Sequence, residues 1–213
     1  MRIFFSIALV ASPLGAQGCG NEVVDSTCER YDDDAPSAAV TIEVRNTTGT
    51  MLYLGSTEAT CGGAPTFALH DANGRVLAHD GGDRSTCARL RDGDPVYPTD
   101  ACLLPSLVQL PPGSAWRFLW SGTLLEERIM PERCYDGRPR KSCLQVVAAP
   151  SGRYRASLRA YTAGAACPCD CSPSYRNGDA CLAVGGGLAG GEAREATATF
   201  ELPGASLVEL VLQ

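Results

Sequence analysis

Apolar and polar residues alternate in short runs along most of this chain, and the runs are separated by turn-forming residues. Val40, Ile42 and Val44 alternate with Thr41, Glu43 and Arg45, the period-2 signature of a half-buried strand. Asn46-Thr47-Thr48-Gly49 follows as a turn, then Met51 to Gly55 as a second strand. Thr66 to His70 and Arg75 to His79 flank Asp71-Ala72-Asn73-Gly74, where Asn-Gly predicts a hairpin because glycine supplies a positive φ. Leu107 to Leu110 and Ala115 to Trp120 read as two strands of a hairpin joined by Pro111-Pro112-Gly113. Within the second, Trp116, Phe118 and Trp120 fall on one face. Both tryptophans of the chain lie in this stretch, which marks it as the expected centre of the core.

Ser121 to Met130 continues the pattern. Gly152 to Thr162 places Tyr154, Ala156, Leu158 and Ala160 on one face, with Arg153, Arg155 and Arg159 on the other. Glu195 to Leu202 and Ser206 to Leu212 are the last two strands. About nine short strands, with no long stretch of helical period, predict an all-β fold: an antiparallel, immunoglobulin-like β-sandwich with long cysteine-rich loops. The loops are 81–104 and 163–179, with a glycine-rich one at 185–191.

Composition adds a location. Hydrophobic residues are 45% and charged residues 20%, which is globular. A net charge of −6 excludes a phosphate-backbone binder, so no nucleic acid is expected as a partner. The 11 cysteines against 2 histidines point to an oxidising compartment. Arg2 and the apolar run Ile3 to Ala11 form a signal peptide, too short to span a bilayer. Gly18-Cys19 resembles the end of a bacterial lipoprotein signal, which implies a lipid on Cys19 and an anchor in a membrane leaflet. Parity agrees, since ten cysteines then remain for disulfides. These are Cys28, Cys61, Cys87, Cys102, Cys134, Cys143, Cys167, Cys169, Cys171 and Cys181. An ordinary secretory signal cut after Ala16 or Gly18 is the alternative. The expected organisation is residues 1–18 as signal peptide, 19–37 as lipidated N-terminus and acidic tether, and 38–213 as one stapled domain.

The Gly-Cys-Gly end followed by a Cys-, Gly- and Pro-rich domain resembles uncharacterised surface lipoproteins of the myxobacterial type. Four segments resemble the BsuPI-like intracellular proteinase inhibitor domain, an immunoglobulin-like sandwich. They are Val-Thr-Ile-Glu-Val-Arg-Asn-Thr-Thr at 40–48, Phe-Ala-Leu-His-Asp-Ala-Asn-Gly-Arg-Val-Leu at 67–77, Leu-Pro-Pro-Gly-Ser with the following Trp and Gly at 110–122, and Gly-Arg-Tyr-Arg-Ala-Ser-Leu at 152–158. The likeness covers roughly 120 residues and implies a fold more than a function.

Candidate chemistry is sparse. Asp32-Asp33-Asp34 reads as a solvated acidic linker, because calcium needs six or more oxygens from a shaped loop. Cys167-Pro168-Cys169-Asp170-Cys171 reads as disulfide partners, its spacing being unlike a zinc site. His70 and His79 share a face in one hairpin register and lie on opposite faces in the next. Gly185 to Gly190 matches a dinucleotide fingerprint as a string, but a strand is expected after it where that motif needs a helix. Cys134 to Cys143 is read as a disulfide-closed loop presenting Arg138, Arg140 and Lys141, and Arg140 or Lys141 suits a trypsin-like protease. Arg138 is followed by Pro139. No catalytic residue, metal ligand or cofactor is assigned. The expectation is a cell-envelope lipoprotein that binds or scaffolds a protein or surface ligand, with a secreted serine-proteinase inhibitor as the alternative.

Overall fold

A computed structural model describes residues 28–55, 67–79, 86–93, 107–135, 142–164, 176–183 and 189–213. The strands are β1 (Val40–Asn46), β2 (Leu52–Leu54), β3 (Ala68–His70), β4 (Val76–Leu77), β5 (Leu107–Leu110), β6 (Ala115–Trp120), β7 (Thr123–Ile129), β8 (Ser142–Ala148), β9 (Gly152–Gly164), β10 (Arg176–Asn177), β11 (Ala180–Ala183), β12 (Ala189–Leu202) and β13 (Leu207–Leu212). A short helix, α1 (Cys87–Arg91), lies inside the expected 81–104 loop. Its first turn is capped by Thr86, whose hydroxyl accepts from the Arg89 amide.

The fold is an all-β sandwich. A small sheet has the order β13-β1-β6 and faces a large one, β10-β11-β5-β2-β9-β3-β4, with β12 also paired to β9. β9 holds the large sheet together. One edge runs along β12 from Gly152 to Gly164; the other is shared by β3 at Arg155–Ser157 and β2 at Tyr161. Among the described strands, pairing is antiparallel except between β1 and β13, which run parallel; an isolated parallel bridge also links Thr86 to Leu144. A third, two-stranded unit, β7-β8, leaves the sandwich as a hairpin.

β5 and β6 are strands as expected, but they do not form a hairpin. β5 pairs with β2 and β11 in the large sheet, and β6 pairs with β1 in the small one. Pro111-Pro112-Gly113 is therefore the step from one layer to the other. The reason is local. Gly113 takes φ +76° and donates its amide to the Asn46 carbonyl at 2.8 Å, while the Asn46 amide donates to Ser114 at 3.0 Å. The Asn46 side chain is fully buried and satisfied: Nδ2 donates to Thr50 and Leu110, and Oδ1 accepts from the Thr48 amide. It ties the end of β5 to the end of β1, which forces the chain to cross.

The faces read from periodicity do meet in the core. Val40, Ile42 and Val44 of β1, Val208, Leu210 and Leu212 of β13, and Trp116, Phe118 and Trp120 of β6 face Tyr154, Ala156, Leu158 and Ala160 of β9. Trp120 is the wedge. Its ring meets Tyr154 and Phe200 edge-on at 5.7 and 6.0 Å, and its Nε1 donates to the Thr123 carbonyl at 2.9 Å. Just beyond it the chain leaves for β7 through Gly122, at φ +72°. A Cβ there would lie 2.6 Å from the Ala38 carbonyl oxygen, so only glycine fits.

β3 and β4 form the expected hairpin. Its turn runs from Asp71 to Gly74, whose amide donates back to the Asp71 carbonyl; Gly74 takes the positive φ and Asn73 does not. The Asp71 carboxylate accepts from the Arg75 and Asn73 amides, each at 2.9 Å. Those bonds, the Arg75 one first, hold the carboxyl below its ordinary pKa. A depressed folded value stabilises the hairpin above the unfolded pKa, and this is lost as pH falls through the folded value. Protection of the Asn73 and Arg75 amides, taken against their intrinsic exchange rates, is accordingly expected to fall on acidification through that range, and an Asp71→Ala variant, which has no side-chain acceptor, to lack it at every pH.

Candidate functional site

The β7-β8 hairpin begins inside the sandwich and ends outside it. Leu124 and Val147 pack on the main core, whereas Glu126 to Ile129 are exposed. Its far end carries a second, separate apolar cluster of Cys28, Tyr31, Cys87, Leu90, Met130, Cys134, Tyr135 and Cys143. Two disulfides cross it: Cys28–Cys134 and Cys87–Cys143. The expected Cys134–Cys143 closure is thus not made. Cys134 lies in the turn Glu132–Cys134 and reaches the N-terminal segment; Cys143 lies on β8 and reaches α1. Each staples a different flanking element to the hairpin, and the two loops they close interleave along the chain.

The segment 28–37, expected as a solvated tether, is docked along β8. Tyr31 is buried, and its hydroxyl donates to the Ile129 carbonyl at 3.1 Å. The Asp34 amide donates to the Val146 carbonyl at 2.8 Å. Asp33 Oδ1 accepts from the Val146 amide at 3.0 Å, and Asp34 Oδ2 from the Ala148 amide at 2.8 Å. The carboxylates stand in for strand carbonyls and cover an edge that would otherwise be open to pairing. Asp32 pairs with Arg91 of α1. The three acidic groups are spread over three different partners and do not converge on a cation. Among the described residues no group of His, Cys, Asp and Glu has metal-binding geometry.

Gln145 is the hub of this contact. Buried on β8, it donates from Nε2 to the Arg30 and Asp32 carbonyls at 2.9 and 2.8 Å, and its Oε1 accepts from Arg128 Nε at 3.0 Å. Gln145→Ala is expected to cost about 1–3 kcal/mol through unsatisfied carbonyls. Faster amide exchange at Val146 and Ala148, with no change in β9, is the measurement that checks it.

The sequence-predicted interaction residues Arg138, Arg140 and Lys141 lie outside the described residues, as do Cys19, Cys61, Cys102, Cys167, Cys169 and Cys171. The stretch that holds the three cations is bounded by Tyr135 and Ser142. Its two flanking cysteines, Cys134 and Cys143, are both buried and disulfide-bonded. Cys181, buried on β11, is disulfide-bonded as well.

The hairpin register decides the histidine question. Leu69 pairs with Leu77 and His70 with Val76, which puts His70 and His79 on opposite faces. His79 stacks on Phe67 at 4.5 Å and its Nε2 meets the Phe67 carbonyl at 2.9 Å. His70 lies on the outer face, its Nε2 3.0 Å from Ser157 Oγ. Sequence separation hides this Ser-His pair; only the β3-β9 register brings it together. Nucleophilic catalysis also needs oxyanion donors, and Ser157 sits mid-strand, paired with Ala68 on one side and Thr197 on the other. Its backbone serves the sheet ladder, so the contact is a cross-strand polar pair.

The same outer face exposes Arg153, Arg155 and Arg159 as expected; Arg159 meets Glu195 at 3.4 Å. Residues 185–188 lie outside the described set, and β12 starts at Ala189. The glycine string therefore lacks the helix that a dinucleotide site requires. Compared with protein-family models, curated proteins and solved structures, the chain matches none.

Proposed function

We propose that the protein is an exported, lipid-anchored module of the bacterial cell envelope that binds or scaffolds without catalysing. One observation carries this reading. The segment that follows Cys19 is covalently fixed to the domain at Cys28–Cys134, so an acyl group on Cys19 holds the domain by its stapled end. The nine residue steps from Cys19 to Cys28 reach at most about 30 Å. The disulfides themselves suit an oxidising compartment. The test is a mass spectrum of the mature protein, intact and reduced, together with palmitate labelling. Label that disappears in Cys19→Ala supports the anchor; unlabelled protein in the medium overturns it.

A second reading is a serine-proteinase inhibitor presenting Arg140 and Lys141. It is favoured by the two buried, disulfide-bonded cysteines that flank this loop, which replace the single ring expected from the sequence. Fixed ends lower the entropy lost on binding. Trypsin inhibition that is lost in Arg140→Ala with Lys141→Ala supports it, and inhibition that survives both changes rules it out.

A further inference from the structure

The outer face of the small sheet is a grid of three rows. The register sets Leu207, Thr41 and Leu119 in the first row, Glu209, Glu43 and Arg117 in the second, and Val211, Arg45 and Ala115 in the third. Leu119 is 75% exposed and Leu207 56%, so two large aliphatic side chains flank a threonine in open solvent. The middle row is unusual for a surface. The Glu43 side chain is only 5% exposed, paired with Arg117 at 2.6 Å and also with Arg45, which bridges to Glu209 at 2.6 Å. The ions on this face are already matched among themselves, which lowers the desolvation penalty of covering them.

We propose that this face pairs with the same face of a second copy of the chain. The arrangement of charge selects the symmetry. A two-fold axis lying in the interface and running along β1 sets β6 of one copy over β13 of the other. Arg117 then meets Glu209 of the second copy, Leu119 meets Leu207, and the reciprocal contacts follow. The central Glu43 residues face each other, each flanked by its own Arg45 and Arg117. An axis perpendicular to the strands would instead set Arg117 over Arg117, and Glu209 over Glu209, and is disfavoured. An isologous contact of the first kind is self-complementary in both shape and charge.

Area sets the strength. Three strands about 4.8 Å apart and five residues at about 3.4 Å each give a plan area of a few hundred Å². A stable dimer buries about 800 Å² per partner. The association is therefore weak in solution, with dissociation in the high-micromolar to millimolar range, and depends on high local concentration. It does not depend on the lipid reading.

The experiment uses the mature, disulfide-intact chain carrying Cys19→Ala, so that no acyl group drives association. Sedimentation equilibrium over a wide concentration range is expected to show monomer passing to dimer. Leu119→Lys and Leu207→Asp each replace an exposed side chain that makes no ion pair, and each is expected to raise the dissociation constant at least about tenfold. Mixed one to one, they regain wild-type association. In the mixed dimer the introduced ammonium of one copy meets the introduced carboxylate of the other, and the remaining Leu207 meets the remaining Leu119. NMR shifts on dilution of the wild type, confined to the outward residues of this face (Thr41, Glu43, Arg117, Leu119, Leu207 and Glu209), report the same contact without any variant. A wild type that stays monomeric at millimolar concentration overturns the proposal and leaves the face to a different protein. So do single variants that associate like wild type, or dilution shifts located elsewhere.

Discussion

Trp120→Ala is expected to lower the unfolding free energy by about 3–5 kcal/mol, the range for removing a large aromatic from a packed core. Three contributions converge at this site. The ring is almost fully buried, so its loss leaves a cavity lined by its former neighbours. Tyr154 and Phe200 lose an edge-on partner at 5.7 and 6.0 Å and keep only their mutual contact at 5.8 Å. The Thr123 carbonyl loses the indole donor at the point where the chain turns out toward β7. At about 2–4 °C per kcal/mol for a domain of this size, the midpoint falls by roughly 10 °C. Thermal unfolding with disulfides intact, followed by circular dichroism, measures it. A fall of less than about 1 kcal/mol would mean that the sandwich is not centred on this ring.

Cys28→Ser with Cys134→Ser is expected to cost a similar amount, about 4 kcal/mol, by a different route. The bond closes a separation of 106 residues, and its effect resides mainly in the unfolded chain. Because Cys87–Cys143 interleaves with it, the loop that it closes in the unfolded state is shorter than the separation suggests. The dependence on length is logarithmic, so the shortcut removes only about 0.4 kcal/mol. Denaturant titration gives the total. Amide exchange gives the place: protection at Val146 and Ala148 should fall with the docking of 28–37, while β1 and β9 keep their order. Loss of protection throughout would show that the two apolar clusters unfold as one.

Within each strand, the sequence is informative because one face is buried and a period of two exposes it. β1, β6, β9 and β13 are legible to within two residues, and their inward faces are the observed core. Neighbours are not legible. Alternation says that Trp116, Phe118 and Trp120 point one way, but not that β6 lies beside β1 and apart from β5. α1 spans five residues, fewer than a periodic signal needs. The cysteines at 134 and 143 mask β8 by suggesting a closed loop. The docking of 28–37 is hidden because carboxylates bound to strand amides look like a solvated run. Disulfide pairing follows from which elements flank the hairpin tip, whereas spacing alone favours the nearest cysteine. The candidate interaction loop is marked by charge and composition. What holds its ends comes only from the fold.

The parallel pairing of β1 with β13 has a consequence for how the protein is made. The first strand of the sandwich lies between β6 and the last strand of the chain, so Ile42 and Val44 have no neighbour on one side until residues 207–212 have appeared. A chain delivered N-terminus first can pair β9 with β2 and β3 before its C-terminal strands appear, but its small sheet stays open until β13 arrives. On the proposed export route, translocation and closure are thereby coupled by topology. A chain interrupted anywhere before β13 leaves the β1 edge open to pairing with other chains, whereas a chain that includes β13 covers that edge.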